Sequence, residues 1–272
     1  MRDWMPTKLF RLLPLALATL ALALSAYTPP SPIVKGVALL DWSHKGDLAT
    51  LGAPNYYGWG EYCGGAANCL NMNRNWTLPQ TTCYPTLLLG NEPTNPEPAG
   101  HPITATLAAS VTVSIERTCP QTRLVVANIH LNNGNGVADR QWVSDYLSAY
   151  AVKAGKPFTG TLGVHCYSGG GQWCLNKIIS VTALYNGPLW VTEFGIYSPE
   201  QLAIFLKGIG LVGRVERVYL WTNRNPGDLL ELVNPNGTLT PLGQVYAAWV
   251  PPTVRRVWLP VATDRGVTQG YP

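Results

Sequence analysis

LLGNEP at residues 88–93 and LWVTEFG at residues 189–195 give the strongest indication of how this chain folds. Each is an apolar run that ends in a glutamate, Glu92 or Glu193, with proline or glycine close behind. In a (β/α)8 barrel the catalytic groups lie at the carboxyl ends of the strands. Two carboxylates are also what hydrolysis of a glycosidic bond requires, one as an acid and one as a nucleophile or base. The two stretches therefore predict a barrel with a pair of carboxylates at its mouth.

The first thirty residues are unlike the rest of the chain. Basic residues at positions 2, 8 and 11 precede an apolar stretch, Leu12–Leu24, and small residues around Ser25 offer a cleavage site. This arrangement predicts a secretory signal peptide over residues 1–30, the alternative being an uncleaved membrane anchor. The apolar stretch is shorter than the about 20 residues that a spanning helix needs. We expect a secreted or cell-surface protein without membrane association after cleavage.

Charge and aromatic content indicate the class of partner. The chain carries a net charge of +4, which falls to about +2 without the three basic residues and one acidic residue of the leader. A nearly neutral domain with 12% charged residues is a poor nucleic-acid binder. The 10 Trp and 13 Tyr residues favour carbohydrate, since aromatic faces stack on sugar rings. We expect a β-glycan partner and no nucleic acid.

All six cysteines lie beyond the leader. An even number of cysteines in a secreted chain predicts disulfides, although six cysteines can pair in many ways. Closure of short loops favours Cys63–Cys69 and Cys166–Cys174, which leaves Cys83–Cys119. There is no Cys-x2-Cys pair, and the four histidines show no ligand spacing. We therefore expect no metal site and no cofactor.

From Val34 onward, strand-like and helix-like segments alternate, as is typical of parallel α/β folds. The predicted strands are Val37–Asp41, Tyr56–Trp59, Leu70–Asn73, Thr86–Gly90, Arg123–Ile129, Leu162–Cys166, Leu189–Thr192 and Arg217–Trp221. The predicted helices are Ile103–Arg117, Asp139–Ala154, Asn176–Leu184, Pro199–Leu211 and Pro241–Trp249. Only a loop fits between strands 2 and 3, so a helix is degenerate or missing there. We expect one (β/α)8 TIM barrel at 34–249, a tail at 250–272 and a monomer.

Polar and aromatic residues near the ends of other strands are candidates for binding sugar. Asn91 could bond a substrate hydroxyl or orient the acid. His165 and Tyr167 lie two apart on the sixth strand, so their side chains share a direction. Tyr167 could then bond Glu193, while His165 could bind sugar or tune the acid. The alternative for His165 and Tyr167 is ordinary core packing.

Three more aromatic residues are placed where sugar could bind. Trp221 ends the eighth predicted strand and would form the floor beneath the sugar whose bond is broken. Tyr57 and Trp59 lie two apart on the second strand, and we expect them to contact substrate as well. Packing in the core is the alternative for each of the three.

These residues carry a resemblance to a known family. Glutamates that end strands 4 and 7, with Asn before the first, are the pattern of clan A of the glycoside hydrolases, whose members retain the anomeric configuration. More narrowly, the chain resembles the secreted glycosyl hydrolase catalytic core family that includes the family 128 endo-β-1,3-glucanases, over about residues 36–249. The matching runs are YYGWG at 56–60, LGNEP at 89–93, VHCY at 164–167, WVTEFG at 190–195, YLW at 219–221 and GTLTPLG at 237–243.

The resemblance implies that Glu92 is the acid/base and Glu193 the nucleophile. Since two carboxylates about 5 Å apart do not both ionise easily, one pKa should rise, and we expect this at Glu92, the proton donor. The expected activity is retaining, double-displacement cleavage of a β-linked polysaccharide, with endo action on β-1,3-glucan favoured. The alternatives are a relative that cuts another β-glycan, such as a β-1,4-linked one, and a catalytically silent carbohydrate-binding barrel. The presence of both glutamates argues against the silent barrel.

Overall fold

Eight parallel strands close into a barrel in chain order, and β8 pairs with β1. The computed structural model describes residues 32–40, 42–58, 63, 68–132, 136–225 and 227–252. The strands are β1 (Val34–Leu39), β2 (Asn55–Gly58), β3 (Cys69–Asn73), β4 (Thr86–Leu89), β5 (Arg123–His130), β6 (Thr161–Ser168), β7 (Leu189–Ile196) and β8 (Val215–Trp221). The predicted (β/α)8 barrel is confirmed, and each predicted strand overlaps an observed one.

The helices lie between the strands as the barrel requires. They are α1 (Asp47–Thr50), α2 (Ala105–Thr118), α3 (Val137–Ala154), α4 (Gly171–Thr182), α5 (Pro199–Ile209) and α6 (Pro241–Ala248), and a short 3-10 turn spans Trp42–His44. The five predicted helices are confirmed, whereas the single turn of α1 was not predicted. Between β2 and β3 the structure describes only Cys63 and Asn68, and neither is helical. Residues 74–85, between β3 and β4, are described throughout and contain no helix.

Helix α4 begins at Gly171, five residues before its predicted start at Asn176. The prediction placed the start too late because glycines in a sequence are typical of a loop. A Cβ atom at Gly171 would lie 2.0 Å from the backbone oxygen of Gln201 at the start of α5. Only glycine therefore permits the two helices to approach so closely at this point. A residue that looks like a helix breaker in the sequence is here required by helix packing.

Conventional capping explains where three other helices begin. Thr104, Ser198 and Thr240 each accept a hydrogen bond from a backbone N–H three residues further on. Pro199 and Pro241 follow two of these caps, and proline is well suited to the first helical position because its missing N–H is not needed there. These local signals fix α2, α5 and α6, and with them the lengths of the loops at the barrel mouth.

The barrel is filled from the inside as well as covered by helices. One buried cluster fills the interior, and its members come from seven of the eight strands: Ala38, Tyr57, Leu70, Met72, Leu88, Val125, Trp190 and Tyr219. Alternate residues of the same strands pack outward against the helices in a second, larger cluster. Strands that are buried on both faces explain the nearly continuous apolar runs in the sequence.

Three disulfides close loops around the barrel. They are Cys63–Cys69, Cys83–Cys119 and Cys166–Cys174, so the predicted pairing is confirmed. The first joins Cys63, between β2 and β3, to the first residue of β3. The second joins the β3–β4 segment to the end of α2, and the third joins β6 to α4. All three constrain segments that flank the carboxyl ends of strands or the helices beside them.

The predicted signal peptide, residues 1–30, lies outside the described residues, and so does the tail from residue 253 onward. Among the helices that the structure describes, none is long and apolar enough to cross a membrane.

A buried lysine joins the first strand to the last helix. Lys35 donates to the carbonyl oxygens of Tyr246, Ala247 and Trp249 at distances of 2.5, 3.2 and 3.2 Å. We expect Lys35→Met, which keeps the apolar stem, to lower the free energy of unfolding by about 1–3 kcal/mol, because three carbonyl oxygens lose their hydrogen-bond donor. Denaturant unfolding of the purified domain measures this loss.

The effect of Lys35 should also depend on pH. Burial lowers the pKa of Lys35 from 10.5 to about 8. Between these values the unfolded chain binds a proton that the folded chain has released, so folding gains stability as the pH rises. The advantage of the wild type over Lys35→Met should therefore grow from pH 8 to 10.5. An advantage that shrinks over this range would contradict the assignment.

Candidate active site

Glu92 and Glu193 meet at the carboxyl ends of the strands. Glu193 lies within β7, Glu92 follows the end of β4 by three residues, and both are buried. One carboxylate oxygen of each lies, together with a ring nitrogen of His165, in a cluster whose atoms are all within 4.8 Å of one another. The structure therefore brings together residues that are about one hundred positions apart in the sequence.

The backbone that carries Glu92 is held in an unusual conformation. Gly90 has φ +83°, and a Cβ atom there would lie 2.0 Å from the indole of Trp76. Glu92 itself has φ +46°, a left-handed value that residues other than glycine rarely adopt. Its N–H donates to the carbonyl oxygen of Asn128 at 3.1 Å. Such strain persists only where the surroundings enforce it, and it is concentrated at functional sites.

Glu193 accepts a tyrosine hydroxyl on each oxygen. Tyr57 donates to Oε1 at 2.9 Å, and Tyr167 donates to Oε2 at 2.5 Å. The Tyr57 hydroxyl also lies 2.7 Å from the carbonyl oxygen of Thr192, and its ring packs edge-on against Tyr219. Tyr57 is completely buried, so the structure places it as a partner of Glu193 within the barrel. The hydrogen bond expected between Tyr167 and Glu193 is present.

Glu92 is held on both oxygens as well, but by nitrogen donors. His165 Nδ1 lies 2.8 Å from Oε1, and the Asn95 amide donates to Oε2 at 2.7 Å. The same amide nitrogen lies 3.0 Å from Nδ1 of His130, which ends β5. Sequence reasoning placed His165 near the acid but did not single out Asn95 or His130. Asn95 lies in a loop, and nothing in its local sequence indicates that it turns back toward Glu92.

The charges in this cluster do not follow the sequence-based expectation. Burial raises the pKa of Glu193 and the charge of Glu92 adds to this, while His165 and the two tyrosines favour the ionised form. At Glu92 burial also favours the neutral form, but the hydrogen bond and charge of His165 prevail and lower its pKa. Burial lowers the pKa of His165, yet the two carboxylates outweigh burial and raise it. The expectation that Glu92 has the raised pKa is wrong for this arrangement, because the hydrogen bond and charge of His165 lower the pKa of Glu92 and the raised pKa belongs to Glu193.

The same three residues are close enough to offer one ligand atom each to a cation. Each carboxylate oxygen, however, already accepts a hydrogen bond from a tyrosine, an asparagine or His165. The His165 nitrogen that is hydrogen-bonded, Nδ1, faces Glu92 rather than an open coordination position. We interpret the cluster as a hydrogen-bonded acid–base group and assign no metal to it.

Asn128 connects the two halves of the site. It lies in a bulge of β5, where the pairing with β6 shifts between Val126 and Ile129. Its amide donates to the carbonyl oxygen of Gly90 at 2.8 Å, and its Oδ1 accepts from the Thr192 hydroxyl at 2.8 Å. Asn128 thereby ties the segment before Glu92 to the residue before Glu193. A buried amide in an otherwise apolar predicted strand was the signal that could have identified it.

The other predicted site residues lie at different depths. Asn91 is buried and donates to the carbonyl oxygen of Ala99 at 2.9 Å, so it does not orient the acid in this structure. Its Oδ1 has no hydrogen-bond partner among the described residues. Trp221 ends β8, partly buried, and packs on the interior cluster at the barrel mouth. Trp59 lies outside the described residues.

Comparisons with known proteins give a family match and a shared fold. The family model described as glycosyl hydrolase catalytic core matches residues 53–246. Among curated proteins, none matches the sequence significantly.

Solved structures share the barrel. One is a GH128 (subgroup II) endo-β-1,3-glucanase from Pseudomonas viridiflava, with 22% identity, a TM-score of 0.65 and coverage of 81% of this chain and 99% of that one. Another is a GH128 (subgroup I) endo-β-1,3-glucanase from Amycolatopsis mediterranei in complex with laminaritriose, with 19% identity, a TM-score of 0.64 and coverage of 79% and 98%. A third is a GH128 (subgroup VII) oligosaccharide-binding protein from Cryptococcus neoformans, with 17% identity, a TM-score of 0.55 and coverage of 82% and 97%. At these identities the likeness shows a common fold.

Proposed function

Since this chain belongs to the glycosyl hydrolase catalytic core family and is a glycoside hydrolase, we propose that it is a secreted, monomeric, retaining endo-β-1,3-glucanase. Glu92 is the acid/base and Glu193 the nucleophile. Glu193 attacks the anomeric carbon while Glu92 protonates the leaving oxygen, which gives a covalent glycosyl-enzyme. Glu92 then removes a proton from water, and the water releases the sugar with its original configuration.

The spacing of the two carboxylates is the observation that carries this proposal. An oxygen of Glu92 and an oxygen of Glu193 lie within 4.8 Å of each other. Retaining glycosidases separate their carboxyl groups by about 5–5.5 Å, whereas inverting enzymes need roughly 6.5–9.5 Å to admit a water molecule between acid and base. The short spacing supports direct attack by a carboxylate.

His165 reconciles the charges of the cluster with these roles. A protonated His165 beside ionised Glu92 carries the same total charge as a neutral His165 beside protonated Glu92. Transfer of the Nδ1 proton along the 2.8 Å hydrogen bond to Oε1 would protonate Glu92, so that it can act as the acid, and would leave Glu193 ionised. Two tyrosine hydroxyls then hold Glu193 as a carboxylate, the form that can attack.

The tyrosine contacts give a prediction about pH. Tyr167→Phe removes the hydroxyl that donates to Glu193 Oε2, so the pKa of Glu193 should rise further. Because Glu193 must be ionised to attack, the acidic limb of the kcat/KM profile should move to higher pH. We also expect kcat to fall roughly 10- to 100-fold, since a hydrogen bond to a charged group contributes about 1.5–3 kcal/mol. Tyr197→Phe, at an exposed tyrosine that follows β7, is the matched control and should leave the profile unmoved.

Support for β-1,3-glucan as the substrate comes from the structural relatives. The GH128 (subgroup I) endo-β-1,3-glucanase from Amycolatopsis mediterranei has a crystal structure with laminaritriose, and two of its variants have structures with laminaripentaose and laminarihexaose. Support for secretion comes from the three disulfides, which form and persist in oxidising compartments.

The test of substrate uses purified mature protein with a laminarin-type β-1,3-glucan, a β-1,4-glucan and a mannan, analysing the released oligosaccharides by chromatography. We expect a mixture of short oligosaccharides from the β-1,3-glucan and little release from the other two. Release from the β-1,4-glucan alone would keep the mechanism and change the linkage. If NMR shows inversion of configuration at the new reducing end, the retaining mechanism is contradicted.

A carbohydrate-binding barrel without turnover is the second candidate, favoured by the likeness to the oligosaccharide-binding protein from Cryptococcus neoformans. A mechanism-based inactivator that traps a glycosyl-enzyme separates the two candidates. Covalent labelling at Glu193, found by mass spectrometry of peptides, requires a functioning nucleophile. Binding of β-glucan without labelling would identify the silent barrel.

A further inference from the structure

A second histidine lies near the acid, and the mechanism above does not use it. His130 ends β5 opposite His165 on β6, so the two histidines share one level at the barrel mouth. His165 contacts Oε1 of Glu92 directly, whereas His130 reaches Oε2 only through the amide of Asn95. His130 is partly exposed, and His165 and Asn95 are buried.

The hydrogen bonds of Asn95 determine which nitrogen of His130 carries a proton. The Asn95 amide nitrogen lies 2.7 Å from Glu92 Oε2 and 3.0 Å from His130 Nδ1. A carboxylate accepts and an amide nitrogen only donates, so its two hydrogens point to Glu92 and to His130. Nδ1 of His130 must therefore be an acceptor. The neutral ring then carries its proton on Nε2.

We propose that His130 is a positioning residue: as a neutral imidazole it holds Asn95, and through Asn95 it keeps Glu92 oriented for proton transfer. This inference rests on the proposed role of Glu92 as the acid/base. Protonation of His130 would give the ring a second N–H, on Nδ1, and this donor would directly face the N–H of the Asn95 amide. Asn95 would then rotate away, and Oε2 of Glu92 would lose its donor.

The groups around His130 favour its neutral form. Burial lowers the pKa of His130 and the charge of His165 lowers it further, while the charge of Glu92 raises it in part. Tyr167 on β6 faces the ring edge-on, with ring centroids 5.9 Å apart. His130 is therefore neutral at neutral pH and gains a proton only under acidic conditions. Because it is partly exposed, it can exchange that proton with solvent.

The kinetic test compares His130→Ala, Asn95→Ala and the double variant on β-1,3-glucan. We expect each single variant to lower kcat about 10- to 100-fold with little change in KM, because a displacement of about 1 Å at a reacting group can cost that much. The double variant should be no slower than Asn95→Ala, since His130 acts only through Asn95. Losses that multiply in the double variant would overturn the proposal.

A conservative variant separates positioning from packing. The side chain introduced by His130→Asn can present an acceptor where Nδ1 lies, but it does not titrate. This variant should therefore keep most of the wild-type kcat, which His130→Ala loses. It should also remove one ionisation from the acidic limb of the kcat profile. His101→Asn, at a partly exposed histidine that contacts Glu97, is the matched control. An acidic limb that is identical in wild type and His130→Asn would overturn the proposal.

NMR of protein labelled with 15N-histidine tests the hydrogen bond without requiring activity. We expect the Nε2–H tautomer for His130 in the wild type and a mixture of tautomers in Asn95→Ala. A proton on Nδ1 of His130 at neutral pH would overturn the proposal. If the wild type cleaves no β-glucan, the proposed function fails while the NMR result still decides whether Asn95 bonds His130. Thermal melting of each variant shows which of them are folded.

Discussion

Glu193→Ala should reduce turnover of β-1,3-glucan by roughly 10⁴-fold or more, because the other carboxylate of the cluster, Glu92, serves as the acid/base and does not replace the nucleophile. Glu193 lies at the end of the barrel between two tyrosine hydroxyls, and its carboxylate has no substitute there. Release of reducing sugar, measured over long incubations, gives the residual rate. Binding of laminari-oligosaccharides, measured by calorimetry, should persist because the other side chains expected to contact sugar, such as Trp221, remain.

The control for this experiment is Glu200→Ala, at an exposed glutamate in the first turn of α5. It removes a carboxylate of the same kind close to the end of β7 but outside the cluster. We expect a rate within about twofold of the wild type, since surface substitutions rarely disturb a fold. A Glu193→Ala protein that is folded and keeps more than a few per cent of the wild-type rate would disprove the assignment of the nucleophile.

Glu92→Gln should produce a loss that depends on the leaving group. On polysaccharide, whose leaving oxygen needs a proton, we expect kcat to fall about 10²–10⁴-fold, the usual contribution of general acid–base catalysis. On an aryl β-glycoside with an acidic phenol, the first step needs no acid, so the glycosyl-enzyme should accumulate. Azide, a nucleophile that needs no general base, should then accelerate turnover. Stopped-flow bursts and analysis of the glycosyl azide measure both effects.

This experiment also decides between the two possible assignments of the carboxylates. If the raised pKa of Glu193 meant that Glu193 were the acid, azide would rescue Glu193→Gln and not Glu92→Gln. Glu97→Gln is the control, because Glu97 lies in the same loop as Glu92 with its side chain 71% exposed. It should behave as the wild type on both substrates.

The contrast between Asn91 and Asn95 shows why partners of the acid could not be assigned by adjacency. Asn91 precedes Glu92 in the chain, but its amide donates to Ala99. Asn95, three residues after Glu92, donates to the carboxylate because the chain turns back at the end of β4. The left-handed backbone at Gly90 and Glu92 sets this turn, and it is enforced by Trp76 and Asn128. Those two residues come from other parts of the chain, so the local sequence does not show which asparagine reaches Glu92.

The barrel, its disulfides and the two glutamates at its mouth could be predicted from the amino-acid sequence. This was possible because apolar periodicity, the placement of glycine and proline, and the closure of short loops are local properties of a chain. Which of the two carboxylates has the raised pKa is a property of the folded chain. That depends on His165, His130 and Tyr57, which three different strands bring within hydrogen-bonding distance of the glutamates or of Asn95. Burial and nearby charge set a pKa, and both exist only after the strands have closed into a barrel.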